Sequence, residues 1–579
     1  MLLNIDRGQR PALLAAYNEI CRSGDIPAEW RSAIVVPIHK KGKPQGVVTS
    51  SYRPLTSAAG KILEAVALHR LEWIAAVREA LSPEQSGFRA GRCTADCIAQ
   101  VVCMLEQAKA ERQEAYLVLL DVRSAFDMLP HEAIMDALRW LGVSARLLRY
   151  VEAFLTGRTF QVRVGSTCST ERAVTKGVPQ GSVISPFLFY LALARLPLSL
   201  PSSKHSIRVA IYADDIAIVA TAPTLHGPDL RREVQASLDA ISRYLTGIGL
   251  SASPEKTVAM LFSPRRLATN TTPPLQLQGT PLPWQHRGKY LGLSIDSKLS
   301  YKAAVGELRL INKRVAAFAS RLLARGEGAT PTLPLRLYEG TASARVLYAL
   351  PLLQLRPAQW EQLDRDQRTA MRRFAGLPKG FNIGPTHAEL CVWPVSLRAE
   401  RTALNHIERL HRATGTAEII ADLRASPRSR MGQARRDFDF VVRAKPAPAP
   451  PRQPPHRAPA LRIETTIPGV QSKQRTPHCA IRQETAQRVE LDYASRVHLY
   501  TDGSVSQDGN SATAACTAPA IGITKQCRVR FFASSTTAEI SALHLAADVI
   551  AETPDLKHVA MLSDSRSALV QLQRPYRAA

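Results

Sequence analysis

The sequence predicts a protein of α+β class built from several domains, and three observations carry that expectation. The chain has 579 residues, more than one core supports, since single cores rarely grow past ~250 to 300 residues. Short β-branched and apolar runs that end in an acid alternate with longer segments of helical periodicity. Residues 424–462 then carry many arginines and seven prolines between Pro446 and Pro459, a composition of linkers rather than cores.

Charge narrows the function. Against 49 Asp and Glu stand 75 Lys and Arg, a formal net charge of +26. Such an excess points to a polyanion, nucleic acid first and an anionic membrane surface second, because Lys and Arg on phosphates release counterions. The nine cysteines are scattered. Cys93, Cys97 and Cys103 fit helix positions better than a zinc knuckle, so reduced thiols in an intracellular protein are expected. No run of ~18 apolar residues offers a membrane span, and the first residues lack a signal-peptide core.

In chain order, residues 11–30 read as a helix closed by Gly24 and Pro27. Trp30 to Lys43 is a strand entering a basic turn, and Ser51 to Ser57 a second short strand, so Lys40 and Arg53 can project from one ribbon onto phosphates. Helices are expected over 58–77 and 94–110, with Gln85-Ser86-Gly87-Phe88-Arg89 between them. The apolar run from Ala115 to Leu120 is a strand buried on both faces, with Asp121 at its exposed end and Phe126 a turn further on. Residues 131–155 give one or two helices, and 160–164 alternates as a hairpin strand. In Gly177-Val178-Pro179-Gln180-Gly181-Ser182 the glycines allow close backbone approach by a ligand before a long apolar helix.

The organising stretch is Ile211-Tyr212-Ala213-Asp214-Asp215-Ile216-Ala217-Ile218-Val219, two acids in a tight turn between β-branched strands. An Asp-Asp pair alone is commonly a solvated turn. Between apolar strands the pair nonetheless invites a divalent ion, which takes one or two protein carboxylates plus substrate phosphates and water, and a third carboxylate has to come from elsewhere in the chain. A helix over 230–244, the turn from Gly249 to Thr257 and a hairpin at 289–293 follow. Residues 301–410 are helical and basic: Leu308, Leu310, Ile311, Val315, Phe318 and Leu322 alternate with Arg309, Lys313, Arg314 and Arg321. Beyond the linker, Val497 to Ser504 is a strand ending in Asp502, Glu539 lies in the first turn of a helix, and Val559 to Ser563 is a strand followed by Asp564.

Taken in order, the blocks over residues 10–300 resemble the reverse transcriptases of non-LTR (LINE-type) retrotransposons. The resemblance implies a right-hand polymerase, with fingers and palm over 1–300 and a thumb and helical connection over 301–423. It implies that Asp121 and Asp214 are the main ligands of two Mg²⁺ ions, Mn²⁺ being an alternative, with Asp215 and the Val122 carbonyl in support. Lys40 and Arg53 match the holders of the incoming triphosphate, and Phe126 the aromatic gate that rejects a ribose 2′-hydroxyl. Gln180 and Gly181 match the block lining the nucleotide site, Lys256 a lysine of the next palm motif that also serves the nucleotide, and Tyr290-Leu291-Gly292 the primer grip. Partners implied are an RNA template, a DNA primer, dNTPs and an RNA–DNA hybrid, with no membrane. The implied location is the nucleus, with a cytoplasmic RNA-bound stage.

After a linker over 424–490, residues 491–579 resemble ribonuclease H. The resemblance implies that Asp502, Glu539 and Asp564 hold two further Mg²⁺ ions and cleave the RNA of a hybrid. The sequence departs from that family by ending at Ala579, before the last helix and a fourth acid, and its start falls inside the polymerase region. The expectation is therefore a copy truncated at both ends with a loosely packed C-terminal unit. A maturase or telomerase-like polymerase would share the palm but not the ribonuclease H remnant. A decayed fragment that only binds nucleic acid is the reading outside enzymology.

Overall fold

The Glu114–Leu120 strand is buried along its whole length and forms the spine of the first of two units, Met1–Arg457 and Ala458–Ala579. The computed structural model describes residues 7–37, 52–55, 58–265, 268–323, 328–413, 415–441, 462–467, 470, 476–506, 511–529, 533–553, 555–556 and 558–572. On one side the spine pairs antiparallel with Asp215–Ala222, itself paired with Ser206–Tyr212, and on the other with Val258–Phe262.

Alternation along the strands explains the continuous apolar run. Tyr116, Val118 and Leu120 enter one core with Ile216, Leu230, Val234 and Leu238. Leu117 and Leu119 point the other way, into a core with Val101, Leu105, Tyr290 and Ile295. Each fully buried aliphatic side chain contributes about 1.5–3 kcal/mol, so the strand ends are held by a sheet with apolar packing on both faces. The expected helices appear as Ala58–Val77 and Thr94–Ala110, while 131–155 divides into His131–Trp140 and Ala145–Leu155. The apolar helix after Ser182 is shorter than expected, Ser185–Ala192, before the chain turns through Leu196.

A second sheet holds Ser32–Pro37 between Tyr52–Leu55, antiparallel, and Arg158–Val164, parallel. Arg53 lies in this ribbon opposite Val36. Lys40 lies outside the described residues.

The region after 301 is helical as expected, while the expected linker differs from what is observed. In Lys302–Arg321, Leu310 is 50% exposed and Phe318 58%, alongside exposed Lys313 and Arg314, whereas Arg309 pairs with Asp366 at 2.7 Å. The expected linker begins too early. Residues 430–441 form a helix whose Met431, Ala434 and Phe438 are buried in the second core, and Arg430 N donates to Glu106 Oε2 at 2.9 Å. Its arginines masked a helical stripe at spacings of three and four. A further helix, His478–Asp492, also falls inside the expected linker, and the proline-rich part, 442–461, lies outside the described residues. Among the described residues no helix is long and apolar enough to cross a membrane.

The second unit is a four-stranded sheet in the order Ile523–Val529, Ala512–Ala518, Val497–Val505, Val559–Ser563. Only the last pair is parallel. Helix Ser535–Glu552 packs on the sheet, its N-terminus capped by Ser534, whose Oγ accepts from Thr537 N at 3.2 Å.

Candidate active site

Tyr212 pairs directly with Asp215, so Ala213 and Asp214 form a two-residue hairpin turn. The turn forces Ala213 to φ +57°, tolerable for a small side chain. Leu120 pairs with Ile216, and one residue on, Asp121 comes alongside Asp215. Three acids thus come to neighbouring strand ends, near enough for the Asp121 charge to act on both Asp214 and Asp215. Burial, then the nearby Asp121 charge, raises Asp214, while its own backbone and Lys256 pull the other way. Asp215, although exposed on its outer side, is crowded by protein around the carboxyl and repelled by Asp214 and Asp121, and rises to about 6.

The Ser251–Thr257 turn supports Asp121. The Asp121 carbonyl accepts from Ser253 N at 2.8 Å, and Arg123 N donates to Ser251 O at 2.9 Å, so Val122 bridges Ala252. Lys256 Nζ lies 3.3 Å from Asp121 Oδ2.

The expected nucleotide block packs against the turn after Asp121. Phe126 is half-buried and stacks on Phe189 at 4.3 Å. Its carbonyl accepts from Val178 N at 2.8 Å, and a Cβ on Gly177, at φ +80°, would lie 2.6 Å from the Asp127 carbonyl. Gln180 Nε2 donates to Asp127 Oδ1 at 3.0 Å, and Gly181, next to it, is exposed at φ +86°. Glu64 is buried in helix Ala58–Val77 and accepts from Ser182 Oγ at 2.6 Å and Val183 N at 2.7 Å. Sequence reasoning missed Glu64 and Asp127. A lone acid in the apolar run Ile62-Leu63-Glu64-Ala65-Val66 was the available signal.

The hairpin expected as primer grip is present, Arg287–Tyr290 paired with Leu293–Asp296. Leu291 and Gly292 make its turn, at φ +43° and +84°, and Tyr348 donates its hydroxyl to Leu291 O at 2.9 Å. Tyr290 is buried in the second core and supports the turn from below.

Among the described residues, two groups of ligand-type side chains have donor atoms all within 4.8 Å of one another. One is Cys93, Asp96 and His406, where Arg409 already pairs with Asp96. The other is Asp502, Glu539 and Asp564 in the second unit. There, burial, then the charges of Asp564 and Asp502, raises Glu539, and its Oε2 is buried without a hydrogen-bond partner. Oxygen donors gathered this way suit a hard divalent cation. The palm acids fall outside that 4.8 Å limit, although their charges act on one another.

Residues 38–295 match the family "Reverse transcriptase (RNA-dependent DNA polymerase)". The chain is 27% identical over 432 residues to the RNA-directed DNA polymerase from mobile element jockey of Drosophila melanogaster, covering 72% of this chain and 46% of that protein. It is 31% identical over 296 residues to the probable RNA-directed DNA polymerase from transposon BS of the same fly, covering 50% and 32%. To the putative 115 kDa protein of the type-1 element R1DM it is 28% identical over 378 residues, covering 64% and 34%. The chain spans less than half the length of these relatives. Apo telomerase from Candida tropicalis aligns at a TM-score of 0.35 and 12% identity, over 76% of this chain and 71% of that one, too loosely to carry weight. Residues 38–295, which carry Asp121, Asp214 and Asp215, thus match a reverse transcriptase domain and are similar in sequence to the polymerases of these mobile elements.

Proposed function

We propose that the chain is an RNA-directed DNA polymerase of a non-LTR retrotransposon, adding dNTPs to a primer 3′-hydroxyl on an RNA template. The observation that carries the proposal is that Asp121, Asp214 and Asp215 lie at adjoining strand ends, where the Asp121 charge acts on the other two. Asp121 and Asp214 suit the role of main ligands for two Mg²⁺ or Mn²⁺ ions, with Asp215 and the Val122 carbonyl in support. The fit rests on hard oxygen donors: burial first, and the Asp214 and Asp121 charges second, raise Asp215, and a cation would offset both. Bound ions supply acidification of the 3′-hydroxyl and neutralisation of charge on the departing pyrophosphate.

The remaining roles belong to the chain itself. The triphosphate is assigned to Lys40 and Arg53, the latter at the ribbon position opposite Val36. Phe126, held by Phe189, stands as the wall that a ribose 2′-hydroxyl would strike. Asp127 orients Gln180 beside Gly181, and Glu64 holds the following turn, so the nucleotide surface is set before substrate arrives. Lys256 screens Asp121 until a ligand competes for that carboxylate. Leu291 and Gly292 offer a turn to the primer backbone, and the +26 charge suits template and primer phosphates.

Extension of oligo(dT) on poly(rA) with Mg²⁺ tests the reading. Incorporation by the parent chain and none by Asp214→Asn is expected; equal incorporation by both, or none by either, would sink it. Retarded migration of nucleic acid without synthesis would favour the fragment that only binds. For the second unit, the Asp502, Glu539 and Asp564 cluster supports a ribonuclease H acting on RNA–DNA hybrids, tested by hybrid cleavage in the parent and in Asp502→Asn.

A further inference from the structure

Phe88 is 44% exposed and sits at φ +53°, so it carries backbone strain that its own burial does not explain. The strain is imposed from behind. Ile211 N donates to Glu84 O and Ser86 N to Ile211 O, both at 2.9 Å, which ties the preceding residues to the strand that leads into the catalytic hairpin. Gly87 then lies so close to that hairpin that a Cβ would stand 2.4 Å from Ala213 N. Phe88 is the next side chain, and its ring meets Phe126 edge-on, with centroids 6.2 Å apart and planes at 88°. Phe126 is therefore held on two sides, stacked on Phe189 and met at right angles by the Phe88 ring.

We infer that Phe88 is a positioning residue for sugar selection: it fixes the Phe126 ring so that the wall facing the nucleotide sugar cannot swing aside. The inference rests on the reading of Phe126 as the gate. A gate rejects one hydroxyl only if it is stiff, because a ring free to change rotamer clears the space that the extra oxygen needs. Anchoring Phe88 to the catalytic turn registers the gate to the acids, and an exposed, strained aromatic is retained for that contact.

Single-nucleotide addition of dGTP against GTP, on a DNA-primed RNA template with the full chain and Mg²⁺, reads the effect as the ratio of kcat/KM values. Phe88→Ala is expected to lower the preference for dGTP by about three- to tenfold, the range one edge-to-face ring contact supports. Phe88→Tyr, which keeps the ring edge, should retain the parent ratio, and Phe88→Leu, which keeps bulk without it, should fall with Ala. Phe126→Val should lower the ratio further, and adding Phe88→Ala to it should change nothing more, since the two act through one ring. An unchanged ratio in Phe126→Val overturns the gate reading itself. A lowered ratio there with an unchanged one in Phe88→Ala and Phe88→Leu overturns only the role of Phe88. Equal losses for both nucleotides in the Phe88 variants, or independent effects in the double variant, overturn it as well.

Discussion

The palm acids and the acids of the second unit gather negative charge by different constructions. In the palm, Asp214 and Asp215 are neighbours on one hairpin, and Asp121 is brought to them by the register of a single pair of strands. In the second unit, Asp502 comes from a strand, Glu539 from a helix and Asp564 from beyond another strand, and their oxygens lie closer together than those of the palm. The spine of the palm is buried along its length, whereas Val497–Val505 alternates between buried and exposed positions and leaves Tyr500 exposed. One site is thus set by backbone pairing inside a thick core, and the other by a helix resting on a thin sheet. Damage to packing should disturb the second site before the first.

The largest expected effect comes from crossing the two sites. Asp214→Asn should reduce primer extension by about 10³-fold or more, given what one preorganised electrostatic partner contributes. It should leave cleavage of an RNA–DNA hybrid as in the parent. Asp564→Asn should do the reverse, lowering cleavage without altering extension. Primer extension and hybrid cleavage assayed on both variants check this. Loss of extension in Asp564→Asn would show the two sites to be coupled and would break the contrast.

The same contrast explains what could be read without coordinates. The strand before Asp121 and the hairpin carrying Asp214 and Asp215 were legible because strand alternation and a two-residue turn are local in sequence. Helices 58–77 and 94–110 were legible for the same reason, since their apolar positions repeat within a few residues. The hidden features depend on distant partners. Glu64 holds Val183 across more than a hundred residues, and Arg430–Val441 packs as a helix because Glu106, far upstream, receives Arg430 N. Leu310 and Phe318 matched an apolar pattern, yet the face they occupy meets solvent in this chain. Period decides which residues share a face, while the partner decides whether the face is covered.

A glycine closes each site, and this offers a more even comparison. A Cβ on Gly87 would lie 2.4 Å from Ala213 N in the catalytic turn, and one on Gly503 would lie 2.3 Å from Glu539 N. Neither clash falls on a flexible side-chain end, so the backbone must move, at a cost typical of overpacking, about 1–3 kcal/mol. Gly87→Ala should depress extension and lower the unfolding midpoint of the first unit. Gly503→Ala should depress only cleavage and the midpoint of the second. Differential scanning calorimetry with the two assays checks the pair. An unchanged extension rate in Gly87→Ala would show that the hairpin is not held from behind.

The smallest effect concerns the charge of the palm turn. Asp215 is raised to about 6 and Asp214 is raised as well, by burial first and neighbouring acids second. A carboxyl whose folded value exceeds its unfolded value, ~4 for Asp, favours the folded state while protonated. That contribution is full below pH ~4 and is lost as pH rises through about 6. Without divalent ions, the first unit should therefore lose stability across this window, and Asp215→Asn should flatten the loss. Mg²⁺ prefers the ionised carboxylates, so its stabilisation should be greater at pH 8 than at pH 5, on the order of a few degrees in Tm. Thermal unfolding of the parent and Asp215→Asn, with EDTA or Mg²⁺ at each pH, measures it. An Mg²⁺ effect of equal size at both pH values would mean that the cation binds away from the Asp214 and Asp215 turn.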